Sequence, residues 1–220
     1  MKVRTKDGTE DIRAVWFQNG SVVMIDQREL PDKVVIVSFN DYKDVAEAIR
    51  NMTTRGAPSI GATAAYAMCL AALGKCDLVK AAKDIKAARP TANDLFYAVD
   101  YMTAELGKGR DPVEAADAYA QSMVDKCTAI GEYGAPLIKD GFKVMTHCNA
   151  GALATVDVGT ALAPIRKAWA DGRRFFVYAS RPVPVSRGCS SPHGSSTRRA
   201  STTPSSPTGR RDTSSGRAWT

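Results

Sequence analysis

The chain lacks several features that would assign it quickly to a class. Its five cysteines, Cys69, Cys76, Cys127, Cys148 and Cys189, form no C-x-x-C pair. An odd number without that spacing argues against a zinc framework or a disulfide scaffold and fits a reduced, cytoplasmic chain. No long hydrophobic run is present. The longest, Ala57–Leu73, is rich in alanine and broken by Ser59, Gly61 and Thr63, so it reads as a buried helix rather than a membrane span. The charged start, residues 1–7, leads into no apolar segment, and no secretory signal is expected. Residues 180–220 contain no Lys, Leu, Ile, Met or Phe; they hold 7 Arg, a single acid (Asp212) and 11 of the 15 Ser. Six units of the formal +7 charge therefore sit in this tail, and the 179 residues before it carry only +1. The body's charge gives no reason to invoke nucleic acid.

What is present has a clear order. Residues 12–17 alternate, Asn19-Gly20 signals a turn, residues 21–26 resume with Val22, Val23, Met24 and Ile25, and residues 33–39 form a third run. Asn40 or Asp41 can cap a helix over residues 42–52, with Val45, Ala48 and Ile49 on one face. The loop 53–58 leads into a small-residue helix over 59–73, stopped by Gly74. Further helices are expected over 78–88, over 92–106 with Thr91 or Asn93 near the cap, and over 112–130 with Pro112 in the first turn. The pattern then changes to a short apolar run at 142–146, a small-residue loop, a helical stretch at 160–170 and a second apolar run at 175–178. Strand, loop, helix, strand is the opening of a parallel α/β sheet.

The expected class is α/β. An N-terminal domain of short strands and helices spans residues 1–135, and the start of a Rossmann-like domain spans 136–179. A disordered Arg/Ser/Pro/Thr-rich tail fills 180–220. One βαβ unit cannot bury both faces of a sheet, so the second domain reads as incomplete.

Three segments could carry chemistry. Arg55-Gly56-Ala57-Pro58 sets an Arg and a Gly just before a helix start. There glycine permits close backbone approach, unpaired N–H groups favour an anion, and guanidinium offers a bidentate fork. The plain alternative is a loop with a solvated Arg. Arg89-Pro90-Thr91 repeats the arrangement at the next helix but one. Cys148 follows an expected strand at the carboxyl end where α/β folds place ligands; it reads either as a reactive thiol or as a small buried hydrophobe. His147 points to the opposite face of that strand, so a direct Cys–His pair is not expected, and His147 reads as structural or supporting. Cys69, Cys76 and Cys127 read as packing residues.

Taken together these segments resemble the methylthioribose-1-phosphate isomerases. The matching stretches are Arg55-Gly56-Ala57-Pro58-Ser59-Ile60-Gly61, Arg89-Pro90-Thr91-Ala92-Asn93 with Leu95-Phe96, and Thr146-His147-Cys148-Asn149-Ala150-Gly151 through Thr155. Residues 22–30 and 159–165 support them, and the resemblance runs from about residue 12 to residue 178. That family shares its fold with archaeal ribose-1,5-bisphosphate isomerases and with regulatory subunits of the eukaryotic initiation-factor 2B exchange complex. The intact Cys segment and both Arg loops favour an isomerase over a regulatory subunit. The nearest rival is an isomerase acting on ribose 1,5-bisphosphate, which would want further basic residues for its second phosphate where a methylthio group wants an apolar pocket. The resemblance implies conversion of 5-methylthioribose 1-phosphate to 5-methylthioribulose 1-phosphate in methionine salvage, with no metal or organic cofactor. Arg55, Gly56, Ala57 and Arg89 would bind the sugar phosphate, and Cys148 would be the catalytic thiol. An Asp further along in the family protonates the ring oxygen. No nucleic acid or membrane partner is implied, and the intact family is expected to form homodimers.

The tail departs from this pattern. Codons compatible with residues 181–188, read one base earlier, spell ETRPRLQG, as family members read at that point; residues 191–213 likewise yield a family-like text holding the acid Asp. A shifted reading frame near Ala179 is therefore expected, which resequencing across that codon tests. The chain as written would lack the acid Asp and a family Gln ligand. It is expected to be poorly folded and inactive, whereas its intact parent would be the isomerase. The competing reading is a basic arm that binds nucleic acid, tested by salt-dependent binding that disappears when 180–220 are removed.

Overall fold

The computed structural model describes residues 1–5 and 8–179, all within one compact unit. Two antiparallel hairpin layers open the chain. Strands β1 (Lys2–Thr5) and β2 (Gly8–Asp11) pair with each other, a hairpin that the polar, charged sequence does not announce. Strands β3 (Val15–Gln18), β4 (Ser21–Ile25) and β5 (Ile36–Phe39) form a meander in that order. Asn19 (φ 51°) and Gly20 (φ 75°) make its first turn, both left-handed as a two-residue hairpin requires. The first strand starts later than its alternation suggests because its leading backbone groups are used elsewhere. Ile12 N donates to Met1 O, and Ala14 N donates to Val156 O at 2.7 Å.

Five helices follow. Asp41 caps α1 (Tyr42–Arg50), Asp77 caps α3 (Leu78–Ala88) and Asp111 caps α5 (Pro112–Gly134), each carboxylate accepting from N–H groups of the first turn. Helix α2 (Ala57–Leu73) is buried continuously from Ser59 to Ala71 and is wrapped by α1, α3, α4 and α5. Alanine and glycine let its neighbours approach closely: a Cβ on Gly61 would lie 2.8 Å from the Tyr119 hydroxyl. Helix α4 (Asn93–Gly107) corrects the expected cap, since the capping position is Ala92, Asn93 is already helical and no side chain caps the start. Helix α5 outruns its expected end at residue 130. Gly131 and Gly134 lie in this extension and face α6 (Leu162–Ala170), where a Cβ on Gly134 would meet Pro164 Cγ at 2.6 Å.

Strands β6 (Lys143–Thr146) and β7 (Phe176–Ala179) are parallel, in register from Lys143↔Phe176 to Thr146↔Ala179, with α6 in the crossover. Mixed helix and sheet with a parallel pair is the architecture expected from the sequence. Ala135, Ile138 and Ala168, with Val144, Ile165 and Phe175, make a second small core apart from the main helical one. Cys69 and Cys127 are buried, but Cys76 is exposed, a correction to its reading as a packing residue. It follows α2's end at Gly74 and left-handed Lys75 (φ 52°), which carry the chain out of the core. Among the described residues no helix is long and apolar enough to cross a membrane. The 180–220 tail and Cys189 lie outside the described residues.

Candidate functional site

Helices α2 and α4 begin without a side-chain cap, whereas α1, α3 and α5 each have an Asp. Gly56 holds the α2 cap position at φ 99°, a conformation that L side chains rarely adopt. Pro58 follows in the first turn and carries no N–H of its own. Helix α4 starts from Ala92 in extended backbone. Uncapped first-turn N–H groups and the positive end of the helix dipole are favourable to an anion. Arg55, exposed, precedes the first of these ends, and Arg89, half-buried, closes α3 and precedes the second. The two ends are neighbours: a Cβ on Gly61, one turn into α2, would lie 3.1 Å from Asp94 O in the first turn of α4.

Cys148 stands just past the carboxyl end of β6, exposed and left-handed at φ 64°. It is not the buried hydrophobe that a free Cys usually is. His147 is exposed beside it, and Thr146, at the last position of β6, is buried with its hydroxyl unpaired among the described residues. The loop that carries Cys148 is held by its own polar groups. Thr155 Oγ1 donates to Gly151 O at 3.3 Å and accepts from Gly159 N at 2.7 Å, and Thr160 N donates to Ala150 O. Val156 is fully buried at φ 76°, an uncommon conformation for a β-branched residue that costs about 1–3 kcal/mol. Its carbonyl is fixed by Ala14 N and its side chain by the main core, so the surroundings impose the conformation.

The structure brings the thiol loop and the Arg55 loop into backbone contact. A Cβ on Gly56 would lie 2.4 Å from Ala154 Cα and 2.5 Å from Ala154 O, so only glycine fits there. Buried Gln27 spans the junction, its amide donating to Leu153 O at 2.9 Å and to Arg55 O at 3.4 Å. The next residue, Arg28, forks onto buried Asp26 at 2.9 and 2.6 Å, and that bond raises the guanidinium pKa further. Sequence reasoning used 22–30 only as a supporting match and missed Gln27. A polar pair directly after an apolar strand was the one available signal. Among the described residues no hydrogen bond ties the Arg89 guanidinium to either loop; it caps the end of α3, four residues before α4 begins at Asn93.

Electrostatics separates the cysteines. Burial pushes the Cys69 thiol up to about 12 and raises the Cys127 thiol too, the latter partly offset by hydrogen bonds from Thr155 and Gly159. Both therefore stay protonated near neutral pH and have little nucleophilic character. Among the described residues no cluster of three or more His, Cys, Asp or Glu side chains could hold a metal ion.

Residues 53–191 match the family model described as the initiation factor 2 subunit family. The chain belongs to that family. It is 41% identical over 197 aligned residues to the methylthioribose-1-phosphate isomerase of Chloroflexus aurantiacus, the match covering 81% of this chain and 56% of that protein. The isomerase of the same name from Aquifex aeolicus is 37% identical over 179 residues, 81% of this chain and 39% of its own length. Among solved structures, the 5-methylthioribose 1-phosphate isomerase of Pyrococcus horikoshii OT3 superposes with a TM-score of 0.69 at 31% identity, covering 80% of this chain and 61% of that one. A translation initiation factor eIF-2B delta subunit from A. fulgidus gives 0.68 at 34% identity, covering 77% and 54%. The chain thus spans about half the length of the curated relatives it matches.

Proposed function

We propose that the protein is an aldose–ketose isomerase that converts 5-methylthioribose 1-phosphate to 5-methylthioribulose 1-phosphate. The observation that carries this reading is the contact between the Arg55-Gly56-Ala57 helix start and the loop behind Cys148, closed by Gly56 against Ala154. Phosphate and reacting carbons of a 1-phosphorylated sugar are only a few bonds apart, so an anion site and a thiol must sit side by side. In this scheme the uncapped starts of α2 and α4, with Arg55 and Arg89, hold the phosphate. The C1–O ring bond breaks as an acid protonates the ring oxygen. Hydrogen moves from C2 to C1 with its electron pair as the C2 hydroxyl gives up its proton and becomes the ketone. Cys148 handles that proton at this edge of the sugar, and its return restores the acid. The atoms balance within one molecule, and no oxidant is consumed. The acid that the resemblance implies falls on the off-frame reading of residues 191–213, so the chain as written is expected not to turn the sugar phosphate over.

A coupled assay on the chain as written and on a frame-restored chain tests this. The frame-restored protein is expected to form the ketose, and Cys148→Ala to slow it by about 100-fold or more, the usual scale for a proton-handling group. No turnover by the frame-restored protein would sink the proposal. It would favour the second reading, a regulatory initiation-factor subunit, which the match to the A. fulgidus delta subunit supports and which has no use for the thiol.

A further inference from the structure

We infer that Gln27 is a positioning residue that sets the separation between the anion-binding loop and the thiol loop, and so the alignment of phosphate and reacting carbon. The inference rests on the isomerase reading for its chemical meaning and on the geometry for its existence. Gln27 is only 4% exposed, yet none of its bonds is local in sequence. Its backbone N–H donates to Thr53 O at 2.9 Å, and its side-chain amide donates to Arg55 O at 3.4 Å and to Leu153 O at 2.9 Å. Both side-chain partners are carbonyl oxygens, so the nitrogen of the amide must face them. One residue thus satisfies a carbonyl on each side of the junction, at the point where Gly56 and Ala154 touch.

The adjoining chain is fixed just as firmly. Asp26 N donates to Val35 O, and the Asp26 carboxylate accepts from both the backbone N–H and the guanidinium of Arg28. Gln27 therefore has a rigid base from which to reach two loops that are far apart in sequence. Gly56 allows the loops to approach; Gln27 sets their register. An apolar side chain of the same length would fill the space and leave both part-buried carbonyls without that donor. A carboxylate would turn two attractions into two repulsions.

Hydrogen–deuterium exchange on the full chain, with Gln27→Met and Gln27→Glu beside the unaltered protein, tests the latch without requiring turnover. Peptides covering residues 53–57 and 151–156 are expected to exchange about tenfold faster in Gln27→Met, the scale of one or two buried hydrogen bonds, and faster still in Gln27→Glu. Peptides from α3 should be unchanged. A side chain that only fills volume would leave both near-isosteric variants close to the parent, and that result overturns the inference. Acceleration spread evenly over the chain overturns it as well. Calorimetry with 5-methylthioribose 1-phosphate is the second arm, where affinity should fall about tenfold in Gln27→Met. If the unaltered protein binds and the variant binds equally well, Gln27 does not position the site. If the unaltered protein does not bind at all, the chain as written does not hold the sugar phosphate, the isomerase reading stands or falls on the frame-restored protein, and the exchange data alone decide the latch.

Discussion

At the scale of single residues, exposure and chemistry divide the thiols into two pairs. Cys148 and Cys76 are exposed, while Cys69 and Cys127 are buried with thiols that burial raises. Iodoacetamide near neutral pH, followed by peptide mass spectrometry, is expected to label the first pair and spare the second in the folded protein. Addition of 5-methylthioribose 1-phosphate should protect Cys148 and leave Cys76 reactive; equal protection of both would show that the ligand does not sit at the β6 loop. Arg55, Arg89 and Cys148 stand out in the sequence as candidates because each is a distinctive residue beside a Gly, a Pro or a strand end. Gln27 was not, since its significance lies in two carbonyls 28 and 126 residues away along the chain. The exposure of Cys76 was missed for a similar reason. Helical spacing cannot show that a left-handed Lys75 turns the next residue outward.

At the scale of elements, the helix starts fall into two kinds. Three are sealed by Asp41, Asp77 and Asp111, whereas those of α2, α4 and α6 have no side-chain cap, and of these the starts of α2 and α4 adjoin each other and hold the phosphate in the proposed scheme. Stability and ligand affinity should therefore move in opposite directions at Ala92. Ala92→Ser supplies the missing cap and is expected to stabilise the fold by about 1 kcal/mol, raising the melting temperature by about 2–4 °C. The same change should weaken sugar-phosphate binding, and Ala92→Asp should weaken it more by adding a negative charge. Calorimetry and thermal denaturation on the same samples check both halves, and a gain in stability with unchanged affinity would remove α4 from the site. Helices were the most legible elements, α3 to the residue, because caps and apolar periodicity agree. The strands were less so. The β1–β2 hairpin has no apolar alternation to reveal it, and the start of β3 is displaced by hydrogen bonds to Met1 and Val156. The overrun of α5 depends on α6, which no local signal encodes.

At the scale of the molecule, the two cores are unequal. The main one gathers residues from Val15 to Val124 and takes Val156 from the thiol loop, whereas the second rests on Ala135, Ile138 and Ala168 with a few partners. The two-stranded parallel sheet above that small core leaves Met145 at 73% exposure, with Phe176 and Tyr178 also exposed. Parallel sheets are ordinarily covered on both faces. The 220-residue chain is therefore expected to self-associate as concentration rises, read by sedimentation velocity, and Met145→Lys with Phe176→Lys should suppress this. Concentration-independent sedimentation of the unaltered chain would show that the face is covered in solution. Packing of this kind was legible only in outline, because a sequence shows that a strand is apolar without showing what lies against it.

The parallel pairing also bears on how the protein is made. Lys143–Thr146 can find its partner only after Phe176–Ala179 has left the ribosome, since the register runs from Lys143↔Phe176 to Thr146↔Ala179. The antiparallel meander and the helices packed around α2 precede that moment in synthesis, and domains form as their segments emerge. During translation the start of α2 can thus be in place while the Cys148 loop still awaits the strand that fixes its base, and a nascent chain stalled before Ala179 would carry a packed helical core beside an unanchored thiol loop.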